Sequence, residues 1–286
     1  MSLAASLRTP AAGEQRRRRA DRVAILLMRA AAAVAVAPLI ALMLFVTLKA
    51  IPWLGITLFL NNPLDKEPGI QNAIIGSLQL SVAALLVSAP IGVVAGTYLS
   101  EYAPRRVASA GELLIDIMLG VPSIIAGLFA YLVLVPILGF SGWAAIVALS
   151  ILMIPVLMRT TQEVLRLVPQ GVKEASLALG IPVWKTTLFV TCRTAFSGIL
   201  TGLVLAFSRG LGETAPLILT ARGTNAANFL DFGTTMNAMP IVIFQYSNAA
   251  DSRSIGQAWA TALILLIIAL LLNVAVRGRS ITSKVA

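Results

Sequence analysis

Phe207-Ser208-Arg209-Gly210-Leu211-Gly212-Glu213-Thr214-Ala215-Pro216 sets an arginine and a glutamate four residues apart inside an apolar segment that runs from Thr194 to Leu219. One helical turn separates them, so on a continuous helix both leave the same face. Insertion scales put a charge near the bilayer centre at a cost of about 2.5 to 3.5 kcal/mol, and ionisable residues at that depth face a bundle interior or an aqueous path. The stretch therefore reads as part of a membrane-embedded route for a charged substrate, with Arg209 and Glu213 as pathway residues. The alternative is a static ion pair that only locks helix packing.

The composition around it places the chain in a membrane. Hydrophobic residues are 58% of the 286 residues and charged residues 12%, against about 25% charged in average soluble chains. Windows of about 19 residues give six candidate spans: Ala24 to Leu48, Ala73 to Leu99, Leu113 to Leu138, Trp143 to Met158, Thr194 to Leu219 and Gly256 to Val276. The fold class is all-α, a polytopic membrane protein of six transmembrane helices, the fourth of them short. Its parts are a disordered basic arm over 1–23, a first transmembrane helix over 24–48 and a permease-like bundle over 70–280.

The net charge of +10 belongs to orientation rather than to nucleic acid. Arg8, Arg16 to Arg19 and Arg22 precede the first span; Arg105 and Arg106 follow the second. Arg159, Arg166, Lys173, Lys185 and Arg193 follow the fourth, and Arg277, Arg279 and Lys284 end the chain. The opposite face carries Lys49, Lys66, Arg222 and Arg253, so the positive-inside rule puts both termini in the cytoplasm. A cleaved signal peptide competes for the N-terminus, but its apolar stretch is longer than the usual h-region of about 7 to 15 residues. Cys192 is alone, which excludes an intramolecular disulfide, and there is no histidine; metal and catalytic sites are not expected. Asp116 reads as a solvated interfacial charge, Asn61 to Gly69 as turn chemistry, and Met239 to Phe244 as an apolar run too short to span, either interfacial or re-entrant or a plain amphipathic loop element.

The loop between the fourth and fifth spans, over about 163–193, encodes a helix with a hard stop. Pro169 opens it, good helix formers run through Leu179, and Gly180 followed by Pro182 ends it. Val172, Ala175 and Leu179 share an apolar face suited to a partner protein or the bilayer surface.

Glu174-Ala175-Ser176, three residues, then Gly180 resembles the EAA loop of ABC-importer permeases, whose pattern is Glu-Ala-Ala, three residues, Gly, and later Ile-x-Leu-Pro. Ser176 departs from the second Ala, and Val190-Thr191-Cys192-Arg193 stands where Ile-x-Leu-Pro would fall. Joined to Arg-Gly-Leu-Gly-Glu-Thr-Ala-Pro further on, the loop makes the region from Asn72 to Val276 similar to permeases of the phosphate ABC importer (Pst system), the A-type subunit more than the C-type. The resemblance implies the MetI-like bundle, a loop that couples to the ATPase through Glu174, Ala175 and Gly180, and import of inorganic phosphate across a bacterial plasma membrane. It also implies partners: a second, C-type permease, two ATP-binding subunits and an extracytoplasmic phosphate-binding protein.

The energy source lies outside this chain. Gly180 to Thr186 places Trp184 where a phosphate-binding loop needs glycine, so ATP and Mg would be used by a partner ATPase. Sulfate or molybdate is the alternative cargo. A proton-coupled secondary transporter using Glu213 as carrier would not need the loop around Glu174, and an intramembrane enzyme lacks paired catalytic groups.

Overall fold

Proline decides where the apolar segments run straight and where they turn. The computed structural model describes residues 12–227 and 230–282, and among them the chain is helical, with no strand and one isolated bridge, Arg222 to Met236. The first helices are α1 (Ala12–Ala50), a 3₁₀ turn (Ile51–Trp53), α2 (Ile56–Leu60), α3 (Gln71–Glu101), α4 (Arg105–Gly120), α5 (Ser123–Leu138) and α6 (Gly142–Arg166). Then come α7 (Gln170–Ala178), α8 (Val183–Lys185), a π-helical stretch (Thr186–Thr191) and α9 (Cys192–Thr194). The rest are α10 (Phe196–Gly212), α11 (Ala215–Thr220), α12 (Met239–Ser247) and α13 (Ser252–Thr282).

Among the described residues, four helical stretches are long and apolar enough to cross a bilayer alone: Ala20–Trp53, Gln71–Glu101, Gly142–Arg166 and Ser252–Ala275. Two bent pairs bring the number to six if each is one span. This corrects the third expected span, Leu113 to Leu138, which turns by 93° between α4 and α5. Pro122 holds the N-cap of α5 and forces Val121, at ψ 125°, out of the helical region. The fifth expected span is likewise interrupted. The stretch Val183–Thr194 meets α10 at 70°, and α10 ends at Gly212 because Gly210 and Gly212 weaken the helix and Pro216 starts α11 in its first turn. Pro90, Pro136 and Pro155, in contrast, lie inside unbroken helices.

The chain divides into two compact units, Met1–Lys49 and Ala50–Ala286. The first contains α1, whose Leu26, Leu27, Val34, Leu39 and Ile40 are exposed. Its helix starts at Ala12, where the expected basic arm of 1–23 carries Ala, Glu, Gln and Arg, all strong helix formers. The remainder of that arm, Arg8 included, lies outside the described residues, as does Lys284.

In the second unit α6 is the axis. It is not short, as expected from hydropathy, but continues through Arg166, because Thr161 and Gln162 are buried and Arg159 and Arg166 find carboxylates at Asp116 and Glu112. Asp116 is therefore paired, with Arg159 at 3.6 Å, rather than simply solvated. Leu149, Met153 and Leu157 form its core with Leu80, Ala84, Ala206 and Leu217. Small residues let two helices reach it, since packing rather than water release drives helix association in lipid. On α3, Gly92 lies against Leu157 and Gly96 against Met158, so α3 runs parallel to α6. On α10, Gly198, Gly202 and Gly210 face Val164, Thr160 and Met153 in turn, so α10 runs antiparallel. Gly212 has open space instead.

One end of this unit is tied by long-range hydrogen bonds: Ser141 N to Thr220 O at 3.0 Å, Asn72 Nδ2 to Thr224 O at 2.9 Å, and Gln257 Nε2 to Pro68 O at 2.6 Å. The Asn61 to Gly69 turn sits there, closed by Asn62 N to Asp65 Oδ2 at 2.6 Å. So does α12, whose Met239, Pro240, Ile241 and Val242 are buried between α3 and α13. Its Met239 N donates to Ser77 Oγ at 2.7 Å. At the other end, Glu101, Glu112 and Asp116 meet Lys173, Arg166 and Arg159.

Candidate functional site

Arg209 occupies the last turn of α10, and Glu213 is its C-cap with extended backbone at φ −73° and ψ 127°. The four-residue spacing holds although the helix stops between the two. Arg209 Nε donates to Glu213 Oε1 at 3.3 Å. The side chain of Glu213 is 15% exposed and that of Arg209 34%, so the carboxylate backs the guanidinium and the guanidinium faces the more open side. A guanidinium carries five N–H donors. The terminal Nη groups have no partner among the described residues, which leaves a planar fork of donors uncommitted. Arg209 also sits favourably at the negative end of α10.

The height of this pair follows from its neighbour. Gly210 abuts Met153, near the middle of α6, and Ser88, in the middle of α3, donates to Met153 Sδ at 3.6 Å. A helix break bearing an arginine and a glutamate therefore lies halfway along the central helix. Ser208 Oγ is buried and has no hydrogen-bond partner among the described residues. The interior position decides how the charges behave: away from bulk water, a partner oxyanion gains more from each N–H than it would at the surface.

The second set of residues lies at the end of α6. From Met153 to Arg166 the helix rises about 20 Å, and α7 follows, capped by Pro169 and stopped by Gly180 at φ +75°. Gly180 N donates to Leu177 O at 2.9 Å and Ile181 N to Ser176 O at 3.3 Å, the pair of bonds that closes a Schellman turn. Val172, Glu174, Ala175, Leu177, Leu179 and Gly180 are exposed. An apolar surface of this kind, with Leu179 at 80%, is suited to a protein partner.

The family-wide sequence pattern described as binding-protein-dependent transport system inner membrane component matches residues 88–278. The chain belongs to that family. It is thus a multi-pass inner membrane component of a transport system, not an enzyme. Among relatives, the phosphate transport system permease protein PstA of Pasteurella multocida (strain Pm70) is 40% identical over 237 residues, covering 80% of this chain and 83% of that one. PstA of Haemophilus influenzae (strain Rd) is 42% identical, covering 80% and 82%, and PstA of Yersinia pestis 36%, covering 91% and 90%. Among solved structures, an inward-facing MetNI methionine ABC transporter aligns with a TM-score of 0.56 at 19% identity, over 76% of this chain and 98% of that one. That likeness shows the MetI-like bundle alone.

Within this permease frame the sequence reading passed over several residues. Lys173 stood only among the orientation charges, yet its Nζ donates to both carboxylate oxygens of Glu101 at 2.8 and 2.9 Å. Ser176, a departure from the loop pattern, is buried with its hydroxyl 2.9 Å from Thr186 Oγ1. Gln162 Nε2 donates to Glu112 Oε1 at 3.1 Å. The partners are separated by 72, 10 and 50 residues, and no local pattern announces such pairs. At the opposite end Asp251 caps α13 by accepting from Ser254 N at 2.7 Å, which holds its carboxyl below the usual range.

Proposed function

We propose that the chain is the A-type permease subunit of an ATP-driven importer that carries inorganic phosphate across the plasma membrane into the cytoplasm. The observation that carries this reading is the Arg209–Glu213 pair at the mid-height helix break, with one guanidinium N–H engaged and no partner for the terminal donors among the described residues. A guanidinium fork matches two oxygens of a phosphate. Glu213 holds Arg209 while the path is empty and repels a nearby anion. The two effects together give a site that binds and releases rather than one that traps. The relatives bearing the name phosphate transport system permease support phosphate as the oxyanion.

In this reading α7 docks on a cytoplasmic ATP-binding subunit through Glu174, Ala175 and Gly180. Two such subunits hydrolyse ATP with Mg, a C-type permease lies beside this one, and an extracytoplasmic phosphate-binding protein delivers the anion. The orientation, with both termini cytoplasmic, is supported by the gathering of Arg159, Arg166 and Lys173 at the α7 end. The test is labelled phosphate uptake into vesicles holding the whole complex and its binding protein. Uptake is expected to require ATP, to survive a protonophore, and to resist competition by sulfate and molybdate. Uptake without the ATP-binding subunit that a protonophore abolishes would overturn the reading in favour of a secondary transporter, and competition by sulfate or molybdate would reassign the cargo.

A further inference from the structure

The ion pairs at the α7 end differ sharply in exposure. Arg166 and Glu112 keep 49% and 34% of their side-chain surface, and Arg159 and Asp116 keep 37% and 58%, whereas Lys173 and Glu101 keep 15% and 9%. Lys173 Nζ reaches both oxygens of Glu101, and Ser100 Oγ donates to one of them at 3.1 Å. Glu101 is the last residue of α3. Three residues after Lys173, on the same face of α7, Ser176 meets Thr186 in the π-helical stretch. The inner face of α7 is thus tied by polar contacts to two elements, while its outer face stays free.

A well-packed apolar pair would hold two helices without the desolvation cost of two charges. What the charged pair adds is a single register, because a bidentate contact tolerates little sliding. From Glu101, α3 continues without a break to Gly96 and Gly92, which lie against Met158 and Leu157 of α6. Further along, Ser88 reaches Met153 Sδ, and the Met153 methyl lies against Gly210, beside Arg209. Packed contacts with so little slack transmit displacement instead of absorbing it.

We infer that Lys173 and Glu101 form a latch that passes the movement of α7 into α3, and through it toward Arg209, so that both are positioning residues for coupled transport. This rests on the reading of α7 as the ATPase-docking helix. Ser176 and Thr186 hold the same inner face of α7 about one turn further on, so that it moves as one piece.

The test uses the complete complex with its binding protein in vesicles, measuring phosphate moved per ATP hydrolysed and the amount of ATP-binding subunit that co-purifies. In Glu101→Gln/Lys173→Met both charges go together, so no unpaired charge is left buried. The expected result is normal co-purification, continued ATP hydrolysis and a fall of at least tenfold in phosphate moved per ATP. The swap Glu101→Lys/Lys173→Glu is expected to recover a good part of that ratio. A ratio within twofold of the native complex in the neutral double variant overturns the latch. Loss of the ATP-binding subunit from that variant, or a swap no better than the neutral pair, overturns it as well. Gly180→Val is measured alongside. If it uncouples while the neutral double variant does not, the latch alone falls; if both variants transport normally, the docking role of α7 falls with it.

Discussion

Replacing Gly180 isolates the shape of the proposed docking turn from everything else in the permease. The residue sits at φ +75°, and a Cβ built there meets no atom within 4 Å. Crowding within the permease chain therefore contributes nothing, and inside the chain the effect of a side chain comes from backbone conformation. For an L-residue the left-handed region costs roughly 1 to 2 kcal/mol, a factor of about 5 to 30 in the population of the native turn. A β-branched side chain raises the cost, and asparagine tolerates the region best after glycine. Losing the turn would also release the bonds from Gly180 N to Leu177 O and from Ile181 N to Ser176 O, and with them the direction in which the chain leaves α7. The assay is phosphate uptake coupled to ATP hydrolysis in vesicles, with immunoblotting to confirm insertion. The expected order of coupling is Gly, then Gly180→Asn, then Gly180→Ala, then Gly180→Val. Gly171 lies in α7 with equally open space around it. Gly171→Ala is expected to stabilise the helix by up to about 1 kcal/mol and to leave coupling intact. Equal coupling in Gly180→Val and Gly180→Asn would refute the argument, since asparagine accepts the left-handed region and a β-branched valine does not.

Arg209→Gln is expected to abolish uptake, and the double variant Arg209→Gln/Glu213→Gln to assemble with its partners yet remain inactive. Replacing both members of a buried pair is tolerated where breaking it is not, so near-native uptake by the double variant would show that neither charge touches the anion. Gly96→Leu is expected to lower the thermal midpoint of the detergent-solubilised complex, because its Cβ would lie 2.7 Å from Met158 O and overpacking costs about 1 to 3 kcal/mol; an unchanged midpoint would mean that α3 and α6 pack elsewhere. In a Cys192→Ser background, cysteines at Asp65 and Asn225 are expected to react with an impermeant thiol reagent in intact cells and one at Arg17 not to, and the reverse pattern would invert the orientation.

Composition alone settled the solvent of this protein, because an apolar residue in a long apolar run has one stable environment whatever its neighbours do. Local chemistry likewise marked α7, since Pro169 and Gly180 act through their own dihedral angles, and it marked the Arg209–Glu213 spacing, which one helical turn carries even across the end of α10. Hydropathy could not show the turn at Pro122 or the break before Pro216, for it records how apolar a segment is and not its direction. Pro90 and Pro155 are accommodated inside unbroken helices while Pro122 and Pro216 begin new ones, because whether a freed carbonyl and a displaced turn can be tolerated depends on what packs beside them. The polar end of α6 escaped notice for a related reason: Thr161, Gln162 and Arg166 look like loop residues until burial and Glu112 give them partners. The tie between Lys173 and Glu101 exists only because the folded bundle brings the end of α3 beneath α7. The strength of that contact depends on distance in space, which 72 residues of intervening chain leave unspecified.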